Sequence, residues 1–97
     1  MEFEFAGEVW YWRGPSPFHF VTVPPDASEQ IHELSSLLTY GWGVIPVTAQ
    51  IGETTWTTSL FPRDAGYALP LRASVRSAQD VTLGDVVRVT MRLDVSL

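Results

Sequence analysis

The chain has 97 residues, no cysteine and a formal net charge of −5, and all six of its basic side chains are arginine. This length fits one domain that buries roughly 65% of its unfolded surface, and the missing thiols exclude disulfides and cysteine metal centres. The acidic balance opposes general nucleic-acid binding at long range, unless the arginines gather on one face.

Residues 2–12 alternate from the start. Phe3, Phe5, Gly7, Val9 and Tyr11 share one face, and Glu2, Glu4, Glu8, Trp10 and Trp12 share the other, the period of a β-strand. The second face turns from acidic to aromatic along its length, as when a strand runs from an exposed edge into a covered region or a pocket mouth. No basic stretch followed by an apolar run opens the chain, so no secretory signal is expected. No apolar run approaches the roughly 20 residues of a membrane span. A cytoplasmic, soluble, bacterial-type protein is the expectation.

Gly14-Pro15-Ser16-Pro17 breaks the first strand, and residues 18–23 form a second that stops at Pro24-Pro25. A helix is expected over residues 27–40. Asp26 and Glu29 have the spacing of a capping box, Ile31, Leu34 and Leu38 give an apolar stripe, and Gly41 suits the stop. This helix should pack over one open end of a barrel. Residues 45–51 alternate again, Gly52-Glu53 has the chemistry of a type II′ turn, and residues 54–61 are rich in strand formers. A wider turn over residues 62–66 leads to a strand over 67–71. Residues 72–79 have the composition of a short helix, with Val75 and Ala78 facing inward. A last strand extends to about residue 95, with Val87, Val89, Met91, Leu93 and Val95 on one face. The expected fold is mainly β (α+β): a small six-stranded antiparallel β-barrel capped by one helix plus a short second helical turn, forming one domain over residues 1–97.

Two segments carry a resemblance. GVIPVTAQIGETTWTTSLFPRDAGYALPLRASVR and LGDVVRVTMRLD, together with FVTVPPDASEQI, resemble in order and spacing the DUF1905 family, whose function is unknown. The resemblance covers nearly the whole chain. It implies a small closed or nearly closed β-barrel capped by helix, similar to the split barrels of swapped-hairpin transcription regulators, and it implies no activity. Basic side chains are expected in the family near the first segment and after the L-P-L motif. Here Trp42, Val44 and Thr48 occupy the first region, and Arg72 and Ser77 lie in the second. Any anion-attracting face of the family is therefore weakened in this chain.

No catalytic motif, phosphate-binding glycine loop or metal-ligand spacing is present, and no cofactor or metal is expected. Asp85, after Gly84, reads as a turn residue that accepts backbone hydrogen bonds and steers the last strand. His19 and His32 read as partly solvated side chains. Four tryptophans, with Tyr40 and Tyr67, exceed what so small a core requires. Trp56 is in phase with Thr58 and Leu60, which suits the barrel core or a pocket wall. Trp42, between two glycines, suits an opening. Arg72 and Arg76, four residues apart, are placed to share a helix face and to hold a carboxylate or phosphate.

Two readings follow. The first is a non-catalytic binding module that holds a small aromatic or acidic ligand, or a protein partner, at the barrel mouth through Trp42, Trp56, Arg72 and Arg76. The second is a cofactor-free pocket enzyme of cyclase or isomerase type, with His19 or a buried carboxylate moving a proton. Nucleic-acid binding rests on fold analogy alone and is disfavoured by the charge. A monomer or a homodimer is compatible with the exposed aromatics.

Overall fold

The computed structural model describes residues 2–15, 18–37 and 45–94. Its elements run β1 (Glu2–Trp12), β2 (Phe18–Thr22), α1 (Pro25–Leu37), β3 (Ile45–Ile51), β4 (Thr54–Arg63), β5 (Gly66–Leu71), α2 (Ala73–Ala78) and β6 (Val86–Leu93). The strands close a barrel in the order β1-β2-β5-β4-β3-β6. Every pairing is antiparallel. The expected six-stranded barrel with one long and one short helix is therefore the fold.

Closure depends on the two long strands, each of which changes neighbours part-way. β1 pairs with β6 through residues 2–8 and with β2 through residues 9–12. β4 pairs with β3 through residues 54–60 and with β5 through residues 61–63. Gly7 sits beside the first change. A Cβ there would lie 2.6 Å from Val21 Cγ1, so the barrel wall needs its absence. Past Ala68, β5 pairs only with β2, and the ladder between β4 and β5 stops. Pro70 therefore interrupts no ladder on the β4 side, the position a strand tolerates for proline.

The alternation of residues fills the interior. Val9, Val21, Val47, Ala49, Leu60, Leu69, Val89 and Met91 are all buried in one cluster. At about 25 cal/mol per Å² of apolar surface removed from water, this cluster is the main stabilising term. Trp56 belongs to it and is 7% exposed, its Nε1–H buried without a hydrogen-bond partner among the described residues.

α1 carries the chain from β2 to β3, which are not neighbours, and so crosses the barrel end at which β5 begins. Ala27 and Ile31 enter the common core, Leu34 packs on its edge, and Ser28 Oγ donates to the Val23 carbonyl at 3.2 Å. The helix starts two residues earlier than the sequence pattern implies, because Pro25 has the φ of a first helical residue and no N–H to orphan. The Ser28 N–H donates to the Pro24 carbonyl at 2.8 Å, so Asp26 lies inside the first turn rather than capping it. There its charge suits the helix dipole. Leu38, Tyr40 and Gly41 lie outside the described residues.

α2 sits at the opposite end, beside the β3–β4 hairpin. Gln79 Nε2 donates to Thr54 Oγ1 at 2.7 Å, and Val75 is buried. Ala78 is exposed rather than inward, since a six-residue helix presents only one turn to the core. The helix closes with a Schellman pair: Val81 N–H to the Arg76 carbonyl at 2.8 Å and Asp80 N–H to the Ser77 carbonyl at 3.3 Å, with Asp80 at φ +52°.

The two hairpins differ from each other. Gly52 takes φ +57° while Glu53 does not enter the left-handed region, as a type II′ turn requires. The second turn is tighter than the five residues that the sequence suggests. Arg63 pairs with Gly66, leaving a two-residue loop in which Asp64 (φ +48°) and Ala65 (φ +62°) are both left-handed. This is the backbone of a type I′ turn, and alanine is a poor occupant because its Cβ crowds the following carbonyl. Ala65→Gly is expected to stabilise the protein by roughly 1 kcal/mol; a urea midpoint that stays or falls would show that the turn is not under this strain.

Asp85 does what its position implies. Its Oδ2 accepts from the Thr82 N–H at 2.9 Å and from the Thr82 hydroxyl at 3.2 Å. The turn is tied to β1, with Gly84 N–H on the Val9 carbonyl at 2.9 Å and Val9 N–H on the Asp85 carbonyl at 2.8 Å.

Candidate functional site

The outer face of β1, β2, β5 and the end of β4 carries the aromatic surplus. The registers set Trp10 opposite Phe20 and Phe20 opposite Pro70, with Trp12 opposite Phe18 and Phe61 opposite Ala68. These side chains point away from the core because their strand neighbours Val9, Val21 and Leu69 point into it. They line a groove of about 600 Å³, which reaches into the gap between β4 and β5 at Thr58 and ends at Arg72.

Trp10 organises the groove. Its ring stacks on Phe20, centroids 5.1 Å apart at 27°. Its Nε1–H donates to Thr22 Oγ1 at 2.9 Å, which satisfies the indole while the ring lies across the sheet. The Arg63 guanidinium carbon is 4.7 Å from its ring centre, a cation–π distance. Phe20 continues the array to Phe18 at 5.8 Å and, edge-on, to Phe61 at 6.3 Å. The outermost rings stay open: Trp12 and Phe18 are each 37% exposed and Phe61 46%. Arg63 stands at one end of the groove, held also by Asp64 at 3.4 Å. Arg72 stands at the other, exposed. From Gly66, the partner of Arg63, to Arg72 is six strand residues, or roughly 20 Å.

A second cavity, of about 590 Å³, lies on the other side of Trp10 and Arg63, between α1 and the β4–β5 turn. Ser28, Glu29 and His32 face it from the helix, and Tyr67 forms part of its floor. Burial raises the Tyr67 pKa above the ordinary phenol value, and the nearby Ser35 side chain partly offsets this.

Of the four residues singled out by sequence, the three that lie among the described residues do not line one cavity. Arg72 lines the groove, at the N-cap of α2 rather than within the helix. Arg76 is one turn further on, half-buried, with its Nε buried and without a partner among the described residues, and it lines neither cavity. Its charge acts on His19, whose pKa is lowered first by loss of water and second by Arg76. Trp56 is in the core, and Trp42 lies outside the described residues. The groove's own residues, Trp10, Trp12, Phe18, Phe20 and Phe61, were signalled only by the change from glutamate to tryptophan along β1.

Residues 5–91 match the family model described as Domain of unknown function (DUF1905). The chain belongs to this family. DUF1905 is thus represented here by a closed six-stranded barrel with two helices, which agrees with the fold that the resemblance implied. No curated protein matches the chain. Among the described residues no group of three or more histidines and carboxylates is placed to hold a metal ion, and no helix is long and apolar enough to cross a membrane.

Proposed function

We propose that this DUF1905 protein is a non-catalytic binding module whose ligand lies in the groove on the outer wall of the barrel. The flat, apolar part of the ligand packs on Trp12, Phe18 and Phe61, and its anionic part meets Arg72. The observation that carries this reading is the exposure of three aromatic rings beside Arg72, which is in no ion pair among the described residues, on a chain whose interior is already filled. Small domains seldom leave such a patch without an occupant. A concave apolar surface with a few polar groups is the usual form of a ligand site.

The pocket-enzyme reading named His19 or a buried carboxylate as the group that moves a proton, and all eleven Asp and Glu residues are exposed. The rings of the groove have neither His19 nor a carboxylate beside them in its lining, which favours binding over turnover there.

Thermal shift against a collection of aromatic carboxylates and phosphates tests the reading. A ligand at one hundred times its Kd is expected to add about 2.7 kcal/mol of apparent stability. Trp12→Ala and Arg72→Ala, both at exposed positions, should fold normally and lose most of that gain. Hits whose effect survives both substitutions would place the ligand elsewhere.

A further inference from the structure

The groove and the cavity beside α1 are two halves of one cleft. Trp10, Arg63 and Ala68 belong to the lining of both, so the groove continues past Arg63 into the space beside the helix. At this waist the Arg63 charge is met by Asp64 at 3.4 Å.

The two ends of the cleft differ in charge. Beside α1 it is lined by Glu29, with Asp26 and Glu33 exposed on the same helix, which carries no Lys or Arg. The far end has Arg72, which is in no ion pair among the described residues. Glu53, Asp80 and Asp85 line no part of the cleft. Between the two ends lie the exposed rings of Trp12, Phe18 and Phe61. An acidic pole, an apolar middle and a basic pole thus follow one another along one course.

We propose that this cleft binds a short extended peptide with free termini, its N-terminal ammonium at Glu29, its apolar side chains on Trp12, Phe18 and Phe61, and its C-terminal carboxylate at Arg72. The proposal rests on the groove reading and names its ligand class. A free aromatic amino acid carries both charges on one carbon and reaches only one pole. The stretch from Gly66 to Arg72 alone is roughly 20 Å, and an extended chain of about six residues covers it. In such a chain every second side chain faces the same way, so alternate residues meet the rings. Past Ala68 the edge of β5 toward β4 is unpaired, and the peptide backbone has hydrogen-bonding groups to offer along it.

Isothermal titration calorimetry with a synthetic peptide of about six residues, phenylalanine alternating with alanine and both termini free, reads this directly. The parent should bind it, and N-terminal acetylation or C-terminal amidation of the peptide should each weaken binding by about threefold. In Glu29→Gln the penalty for acetylation should vanish while that for amidation stays, and in Arg72→Gln the reverse should hold. Trp12→Ala should weaken every form of the peptide by roughly tenfold. All three positions are exposed, and Arg72 caps α2 without a side-chain hydrogen bond, so the variants should fold. No binding of the free peptide, capped peptides that bind as well as the free one, penalties that persist in the matching variants, or an unchanged affinity in Trp12→Ala would overturn the proposal. The groove reading stands apart: if every peptide fails while a small aromatic anion raises Tm in a Trp12- and Arg72-dependent way, the groove holds a ligand of another class.

Discussion

Leu60→Ala is expected to lower the unfolding free energy by about 2–5 kcal/mol, a fall in Tm of roughly 10–30 °C for a domain of this size. Leu60 is fully buried and faces Ile45, the first residue of β3, where that ladder ends. The next residue, Phe61, already pairs with β5. The side chain therefore fills the interior at the point where one strand passes between two sets of partners, and the adjoining wall is unpaired between β4 and the end of β5. A cavity there lacks a continuous ladder to close around it. Thr57→Ala, exposed on the same strand, serves as the control and should change stability by no more than about 0.5 kcal/mol. Urea unfolding of both variants checks the prediction. A loss below about 1 kcal/mol for Leu60→Ala would mean that the gap lets the wall collapse inward.

The second large effect is an overpacking one. Gly7→Ala should destabilise the barrel by about 1–3 kcal/mol, because its Cβ would stand 2.6 Å from Val21 Cγ1 and 3.4 Å from the Thr22 carbonyl oxygen. Val21 is fully buried and its branched side chain has little rotamer freedom in a strand. Combining Gly7→Ala with Val21→Ala should cost less than the sum of the two single changes, since the second removes the methyl that the first strikes. Additive losses would trace the damage to backbone conformation at Gly7 rather than to the contact.

Much of the fold was legible in the residues because the alternation is strong. Strands β3 and β6, and β1 as far as Val9, bury the faces that their period of two assigns, whereas Tyr11 is exposed, and Gly52-Glu53 makes the turn that its glycine predicts. The shape of the second hairpin was not legible, because alanine in the left-handed region contradicts local preference and is imposed by the Arg63–Gly66 pairing. The start of α1 was hidden for a related reason: Pro24-Pro25 ends a strand and also opens a helix, and sequence alone favours the first role.

The candidate site was only half visible. Trp10 and Trp12 stood out on β1, but Phe18, Phe20 and Phe61 looked like ordinary strand residues. β2 is apolar on both faces, so its pattern does not say which face is inside. Only the strand order, which places β5 between β2 and β4, joins Phe61 to the other rings. Trp56 attracted attention by residue type, yet its phase with Leu60 already pointed to the core where it is found. Arg72 reached the groove for a reason no spacing reveals, since it ends a strand whose partner has turned away.

The pairing of β1 with β6 has a consequence for how the protein comes into being on the ribosome. Glu2 lies opposite Arg92, so β1 must wait for β6 before it finds this neighbour. Until residues through Leu93 have emerged, the nascent chain holds an open sheet with an unsatisfied edge along β1 and another along β3. Contacts of such long sequence separation slow folding and expose strands that other chains can capture. The glutamates at Glu2, Glu4 and Glu8 then have a second use: they put like charge along the waiting edge and keep two unfinished molecules from pairing with each other.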